Sequence, residues 1–257
     1  MRDHTVIVVM PARNAALTLV RTVRSIPADF VDEIILVDDK STDDTVAVAQ
    51  ELRAERGHET GLPPLHVIPH PHNVGYGGNQ KTCYMDALQR EADVIVMLHP
   101  DGQYEPTLIP QLVEPIVRGQ ADMVLGSRLL EPGQARAGGM PLYKLVANRI
   151  LTGIENRILG TSFSELHTGY RAYSRELLMG IPFLRNANDF SFDSEVVMQA
   201  VHFGYRIDEV PARSRYFDDA SSIRFGPASV YGVKTLWAGF RLILHRRGVL
   251  RSRKFQP

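Results

Sequence analysis

The chain has 257 residues, 29 Lys and Arg against 29 Asp and Glu, a formal net charge of zero and 44% hydrophobic residues. That apolar fraction excludes a disordered chain, the scattered Gly and Pro exclude a fibrous repeat, and neutrality argues against a nucleic-acid coat. A single cysteine, Cys83, excludes an internal disulfide and any structural zinc site built on two or more cysteines. In chain order, the first apolar run is Val6–Met10, ending at Pro11. It is too short for a signal-peptide core and reads as a buried strand. A helical pattern follows over Ala15–Ser25, then a strand at Ile34–Val37 and a helix at Asp43–Arg56, entered through the capping run Ser41–Asp44. Next come a strand at Leu65–Pro69, a helix at Gly78–Glu91, a strand at Val94–Leu98, a helix at Thr107–Arg118 and a strand at Met123–Leu125. Strands and helices alternating at this pitch predict an α/β fold, with a mostly parallel sheet flanked by helices. No run of about 18 apolar residues occurs, so no membrane-spanning helix is predicted and a cytoplasmic protein is expected.

On such a sheet, ligands bind beyond the carboxyl ends of the strands. Polar segments fall at those ends: Pro11–Asn14, Asp38–Thr45, His70–Asn79, His99–Tyr104 and Gly126–Arg128. Singly, each is ordinary turn and cap chemistry. Five at one sheet edge predict a ligand site. The segment Asn73–Asn79 lacks the G-x-G-x-x-G spacing, and no G-x-x-x-x-G-K-[ST] occurs, so neither a NAD site nor a P-loop is predicted. Its glycines either admit a bulky ligand close to the backbone or permit a tight helix entry. Asp101 and Gln103 sit two residues apart just past a strand. They can present oxygens to a hard divalent cation, Mg²⁺ or Mn²⁺, whose shell substrate phosphates would complete. The alternative is an Asx-turn made by Asp101 before Gly102.

Together these segments resemble glycosyltransferase family 2, the nucleotide-sugar-dependent enzymes of the GT-A fold. Within it they resemble the branch of dolichyl-phosphate mannose synthase and the polyprenyl-phosphate glycosyltransferases, over roughly residues 5–215. The resemblance implies a GT-A catalytic domain over residues 1–219 and a basic amphipathic helical tail over 220–257. It implies that Pro11, Arg13, Asn14, Asp38 and Asp39 hold the nucleoside and that Asn73, Gly75, Asn79 and Lys81 flank the nucleotide. The family pattern D-x-D-x-Q is met by Asp101 as metal ligand with Gln103 assisting, while His99 replaces the first acidic residue. That imidazole either ligates the metal or hydrogen-bonds the sugar. Arg128 and Arg149 are expected at phosphate groups near the transfer site, and Arg171, within His167–Tyr173, at the sugar pocket. The implied reaction is an inverting single displacement. A hydroxyl acceptor would need a general base, with Asp193 or Glu195 the candidates; a lipid phosphate is already anionic and needs cations instead. The plainer alternatives are a solvated helix residue for Arg149, and helix-entry charges for Asp193 and Glu195.

Residues 140–160 place Leu142, Val146, Ile150, Ile154 and Ile158 on one helical stripe with Leu145 alongside and Lys144, Arg149 and Arg157 nearby. This is either a core-facing helix or an interfacial one. Beyond Asp219 there are 8 basic residues and no acidic one, so the zero total conceals an acidic body of net −8 and a cationic tail. The tail pattern Val230, Val233, Leu236, Trp237, Phe240, Ile243 and Leu244 suits an anionic membrane surface, or else a partner subunit or weak nucleic-acid contact. The expected function is metal-dependent transfer of a hexose from a GDP-mannose or UDP-glucose type donor to a polyprenyl phosphate, at the inner face of a membrane and without nucleic acid. The rivals are a hydroxyl acceptor in cell-wall or glycan synthesis, a sugar nucleotidyltransferase and a non-catalytic nucleotide-sugar binder. The sequence leaves homo-oligomerisation open.

Overall fold

The computed structural model describes residues 4–55, 61–214 and 225–256, the first six of the last stretch by backbone alone. The strands are β1 (Val6–Ala12), β2 (Glu33–Asp38), β3 (Leu65–Pro69), β4 (Val94–Met97), β5 (Met123–Ser127), β6 (Arg171–Ser174) and β7 (Ile207–Pro211). The helices are α1 (Ala16–Arg24), α2 (Thr45–Ala54), α3 (Tyr76–Gln89), α4 (Ile109–Val117), α5 (Gln134–Ala137), α6 (Leu142–Leu159), α7 (Arg175–Gly180), α8 (Phe192–His202) and α9 (Phe225–Arg246). One sheet of 7 strands runs β3-β2-β1-β4-β6-β5-β7. β1 pairs in parallel with β2 and β4, and β7 with β5; β6 lies antiparallel between β4 and β5.

Strand periodicity explains the layers. Ile7, Val9, Ile35, Val37, Ile95 and Met97 enter one core with Tyr84 of α3 and Phe192 and Val196 of α8. Val6, Val8, Met10, Ile34, Leu36, Val94 and Val96 enter the other, with Leu19 of α1, Leu52 of α2 and Leu112 of α4. Successive side chains point to opposite faces, and both faces are covered, so the central strands read as continuous apolar runs. The five predicted runs appear as strands: β1, β2 and β5 each gain two residues, β3 matches and β4 loses one. β6 and β7 carry no such run. β6 includes the fully buried Arg171, and β7 is a half-exposed edge strand, so neither has the pattern that marked the others.

Helix α9 lies against α6 and α8, with Thr235, Ala238 and Leu242 buried. The boundary expected at 219/220 and the cation Arg224 lie outside the described residues, as do the side chains of Pro227 and Val230. After α9 the chain folds back. Gln199 Nε2 donates to Lys254 O (2.8 Å), Arg185 donates to Arg253 O (2.7 Å), and the Lys254 ammonium pairs with Glu195. Phe255 ends in the core beneath α8. Two of the tail's cations, Lys234 and Lys254, are thus matched by body carboxylates, Asp189 and Glu195. Among the described residues, no helix is long and apolar enough to cross a membrane. Truncating Phe255→Ala removes a buried aromatic and is expected to cost about 3 kcal/mol. Urea unfolding measures this; a change below roughly 0.5 kcal/mol, the scale of surface substitutions, would show that the terminal strap is not part of the core.

Candidate active site

The carboxyl ends of β1, β2 and β4 open onto a cavity of about 800 Å³, within the range of small-ligand and cofactor pockets. Pro11, Arg13, Asp39, Gly75 and Asn79 line one end. Asp39 fixes the loop after β3: its Oδ1 accepts from Val74 N (2.7 Å) and its Oδ2 from Gly75 N (3.1 Å). Gly75 has φ +87°, and a Cβ there would fall 2.4 Å from Asn188 O. Only glycine meets both conditions. This glycine therefore serves a tight helix entry against the chain at residue 188.

Asn79 Nδ2 donates to Val37 O (3.0 Å) and Ala12 O (3.4 Å), which settles the amide's orientation. Its Oδ1 is buried and unpaired among the described residues. An acceptor in that state suits a ring or amino N–H of a nucleobase.

Other expected residues do not line the cavity. Asp38 accepts from Ser41 N (3.0 Å) and from its hydroxyl. Asn14 Oδ1 accepts from Thr42 N (2.8 Å), and Asn73 Oδ1 from Gly75 N (3.1 Å). Lys81 donates to Asn186 O and to Asn188 Oδ1 (2.6 Å). Each braces a loop, and none lines the cavity.

His99, Asp101 and Gln103 line the middle. Asp101 Oδ1 accepts from Gln103 N (3.0 Å), so the Asx-turn is formed and both side chains still border the cavity. One carboxylate, one amide oxygen and one imidazole suit a divalent ion shared with substrate phosphates. Among the described residues, no group of three or more His, Cys, Asp or Glu could hold an ion unaided. The donor set therefore fits an ion that arrives with its substrate.

Asp193, in the first turn of α8, also lines the cavity. Its Oδ2 accepts from the Tyr76 hydroxyl (2.8 Å) and its Oδ1 from Gln80 Nε2 (3.0 Å). Tyr76 Oη is also 3.0 Å from His99 Nε2. Burial, then the charge of Asp193, holds the Tyr76 phenol well above its usual range, so it stays a donor. Arg171 is absent from the cavity wall. Its buried guanidinium donates to Thr168 O (2.8 Å), Asp193 O (2.9 Å) and Leu166 O (3.1 Å). Glu195 turns away to Lys254 and to Ala187 N (2.7 Å).

At the far end, Arg128 borders the cavity with Tyr143, Lys144, Asn148 and Leu151 of α6 and Tyr231 of α9. Arg128 Nε donates to Glu165 Oε1 (2.9 Å), its backbone N to Glu165 Oε2 (2.7 Å), and its Nη2 to His167 O (3.0 Å). Arg149 is exposed on α6, in a shallow recess that it shares with Arg128 and Arg136. Glu165, Tyr76, Lys144 and Tyr231 were not foreseen in these places. For Glu165 the one signal is physical: a buried arginine requires a carboxylate, and no spacing rule says which.

A family model, "Glycosyl transferase family 2", matches residues 7–181. The chain belongs to glycosyl transferase family 2. It is 28% identical over 254 residues to a UDP-N-acetylglucosamine–dolichyl-phosphate N-acetylglucosaminyltransferase of Methanococcus voltae, covering 96% of this chain and 98% of that one. It is 29% identical over 213 residues to an undecaprenyl-phosphate mannosyltransferase of Micrococcus luteus, covering 80% and 82%. Glucosyl-3-phosphoglycerate synthase of Mycobacterium tuberculosis, solved with uridine diphosphate, shares the fold at a TM-score of 0.67 and 21% identity, over 97% of this chain and 82% of that one. The protein is a glycosyltransferase of GT-A architecture, as its motif order implied.

The Arg128–Glu165 pair gives a test of the far wall. Burial pushes the Glu165 carboxyl up, but the charge of Arg128 and the donors around it outweigh burial and hold it below the usual carboxylate range. The pair's contribution is therefore present above the unfolded-state value and is lost as pH falls through the folded-state value. Glu165→Gln should lower stability at pH 7 by about 3 kcal/mol and flatten the profile on the acid side. Denaturant midpoints across that range check it; a parallel shift with unchanged pH dependence would contradict it.

Proposed function

We propose that this glycosyltransferase moves a hexose from a nucleotide-diphosphate sugar to a polyprenyl phosphate at a membrane surface, with inversion and with a divalent ion. The observation that carries the reading is the double face of α6. Tyr143, Lys144, Asn148 and Leu151 line the cavity, while Leu142, Val146, Ile150 and Ile154 point to solvent, Ile150 being 60% exposed. The core-facing alternative for this stripe does not account for that exposure. On the adjoining α9, Val233, Trp237 and Phe240 are exposed, Trp237 at 58%. Apolar faces of this kind on helices that wall a site suit an interfacial substrate. The archaeal and bacterial relatives, a dolichyl-phosphate N-acetylglucosaminyltransferase and an undecaprenyl-phosphate mannosyltransferase, support the same acceptor class.

In this reading the nucleoside lies along Pro11, Arg13, Asp39 and Asn79. Asp101 and Gln103 would hold the ion, which would supply positive charge to offset that growing on the departing diphosphate. The acceptor phosphate is already anionic and needs no base. Its obstacle is repulsion from the donor, which Lys144 and Arg128 screen, with Arg149 and Arg136 lining the approach. Part of the Arg128 charge is already offset by Glu165, so Lys144 carries more of this task. Burial, then the neighbouring Arg128, lowers the Lys144 ammonium below its usual range, and a bound phosphate would reverse that. Each Asp193 oxygen accepts a protein hydrogen bond, which suits positioning better than proton abstraction.

A thermal-shift panel of GDP- and UDP-hexoses, with and without Mg²⁺ or Mn²⁺, tests the donor side. A saturating donor at about 100 times its Kd should add roughly 2.7 kcal/mol of stability, and only with metal. Stabilisation by no nucleotide sugar would sink the reading. Lys144→Met should raise KM for a polyprenyl phosphate about tenfold and change kcat less, because it removes binding charge rather than a reacting group. Steady-state kinetics decide this; an unchanged KM would remove Lys144 from the acceptor site. Ile150→Asp with Trp237→Ser should abolish sedimentation with anionic vesicles and leave donor binding intact. Retained sedimentation would contradict the interfacial role of α6 and α9.

A further inference from the structure

The replacement of an acidic residue by His99 acquires a meaning from the atoms around it. Tyr76 Oη lies 2.8 Å from Asp193 Oδ2 and 3.0 Å from His99 Nε2. An ionised carboxylate only accepts, so the one phenolic hydrogen points at Asp193. The Tyr76 oxygen then receives the hydrogen of His99 Nε2. In the neutral ring that leaves Nδ1 with an open lone pair. Nδ1 has no hydrogen-bond partner among the described residues, and His99 borders the cavity beside Asp101 and Gln103.

The ring's position is over-determined. It stacks on Tyr76 at 5.5 Å between centroids, and Tyr76 in turn packs on Phe190 at 4.5 Å. A Cβ at Gly169 would fall 2.9 Å from His99 Cδ2, so only glycine leaves the ring this space. Behind Asp193, Gln80 Nε2 donates to its carboxylate and Arg171 to its backbone carbonyl.

We infer that Tyr76 is a positioning residue that locks His99 in its Nε2–H tautomer, making Nδ1 a neutral nitrogen ligand beside Asp101 and biasing the site toward Mn²⁺ over Mg²⁺. It rests on the reading of the cavity as a metal–nucleotide site. Mg²⁺ demands oxygen ligands, whereas first-row transition ions accept imidazole. Exchanging a carboxylate for imidazole also removes one negative charge, so more of the ion's affinity must come from the diphosphate. A ligating histidine is oriented by the partner of its other nitrogen, and loss of that partner typically weakens metal binding 10–100-fold. Here the partner is Tyr76, with Asp193 behind it.

Two measurements on the full chain test this. In the metal-free protein, ¹⁵N NMR of the histidine ring should show the Nε2–H tautomer at His99 and a mixture in Tyr76→Phe; an Nδ1–H tautomer in the wild type would overturn the inference. With UDP or GDP present, Mn²⁺ should bind with ¹⁴N coupling visible by pulsed electron paramagnetic resonance. That coupling should vanish in His99→Asp, which should also let Mg²⁺ compete better. Mn²⁺ affinity should fall about tenfold in Tyr76→Phe. Mn²⁺ bound without nitrogen coupling would overturn this inference alone, the histidine then meeting a substrate hydroxyl. Absence of Mn²⁺ binding with either diphosphate would overturn the metal–nucleotide reading with it.

Discussion

The site depends on a guanidinium with no access to water. Arg171 sits at the start of β6, fully buried, and its three donations to Leu166, Thr168 and Asp193 carbonyls tie the chain before β6 to the first turn of α8. Burial alone would make this arginine less basic, but the Asp193 charge and the surrounding phenols raise it, so it remains a cation. A charge held so deep must be satisfied on every side, which leaves α8 one docking position. From there the constraint propagates outward through Asp193 to Tyr76, and from Tyr76 to His99 on the loop after β4. An antiparallel strand inserted into a parallel sheet thus connects the two halves of the cavity. It does so through polar contacts rather than through the apolar packing that builds the rest of the sheet.

A second constraint joins chemistry to surface. Helix α6 has three jobs around its circumference. Leu145, Thr152 and Leu159 are buried, Lys144, Asn148 and Leu151 wall the cavity, and Leu142, Val146, Ile150 and Ile154 are exposed. With 3.6 residues per turn, 18 residues suffice to keep these faces separate. The helix is therefore both a wall of the cavity's far end and an outward apolar surface. An acceptor with a charged head and an apolar tail matches that division.

Much of this was legible in the sequence, for definable reasons. The central strands, buried on both faces, betray themselves as apolar runs, and their carboxyl ends then locate the polar loops. Pro11, Arg13, Asp39, Gly75, Asn79, His99, Asp101, Gln103, Arg128 and Asp193 all line the cavity. Asn14, Asp38, Asn73, Lys81 and Arg171 do not line it, and Arg149 lies to one side. Motif spacing places a residue on a loop, but it does not say whether the side chain turns to the ligand or to the loop's own backbone. Asp38 and Asp39 are neighbours and both accept from loop backbone, yet only Asp39 also borders the cavity. Contacts distant in sequence, such as Arg128–Glu165 and Tyr76–Asp193, depend on topology that no local pattern encodes. β6 was invisible because it has only four residues and opens on a buried cation, Arg171.

The central claim is that one cavity brings a nucleotide sugar to a lipid phosphate presented along α6. The most direct measurement follows labelled hexose from its nucleotide into organic solvent, with a short polyprenyl phosphate offered beside a soluble hydroxyl acceptor. The account predicts label in the lipid product, at the same rate whether or not the soluble acceptor is present in the mixture. Label carried only by the soluble product, with none extracted into the lipid phase, would contradict it.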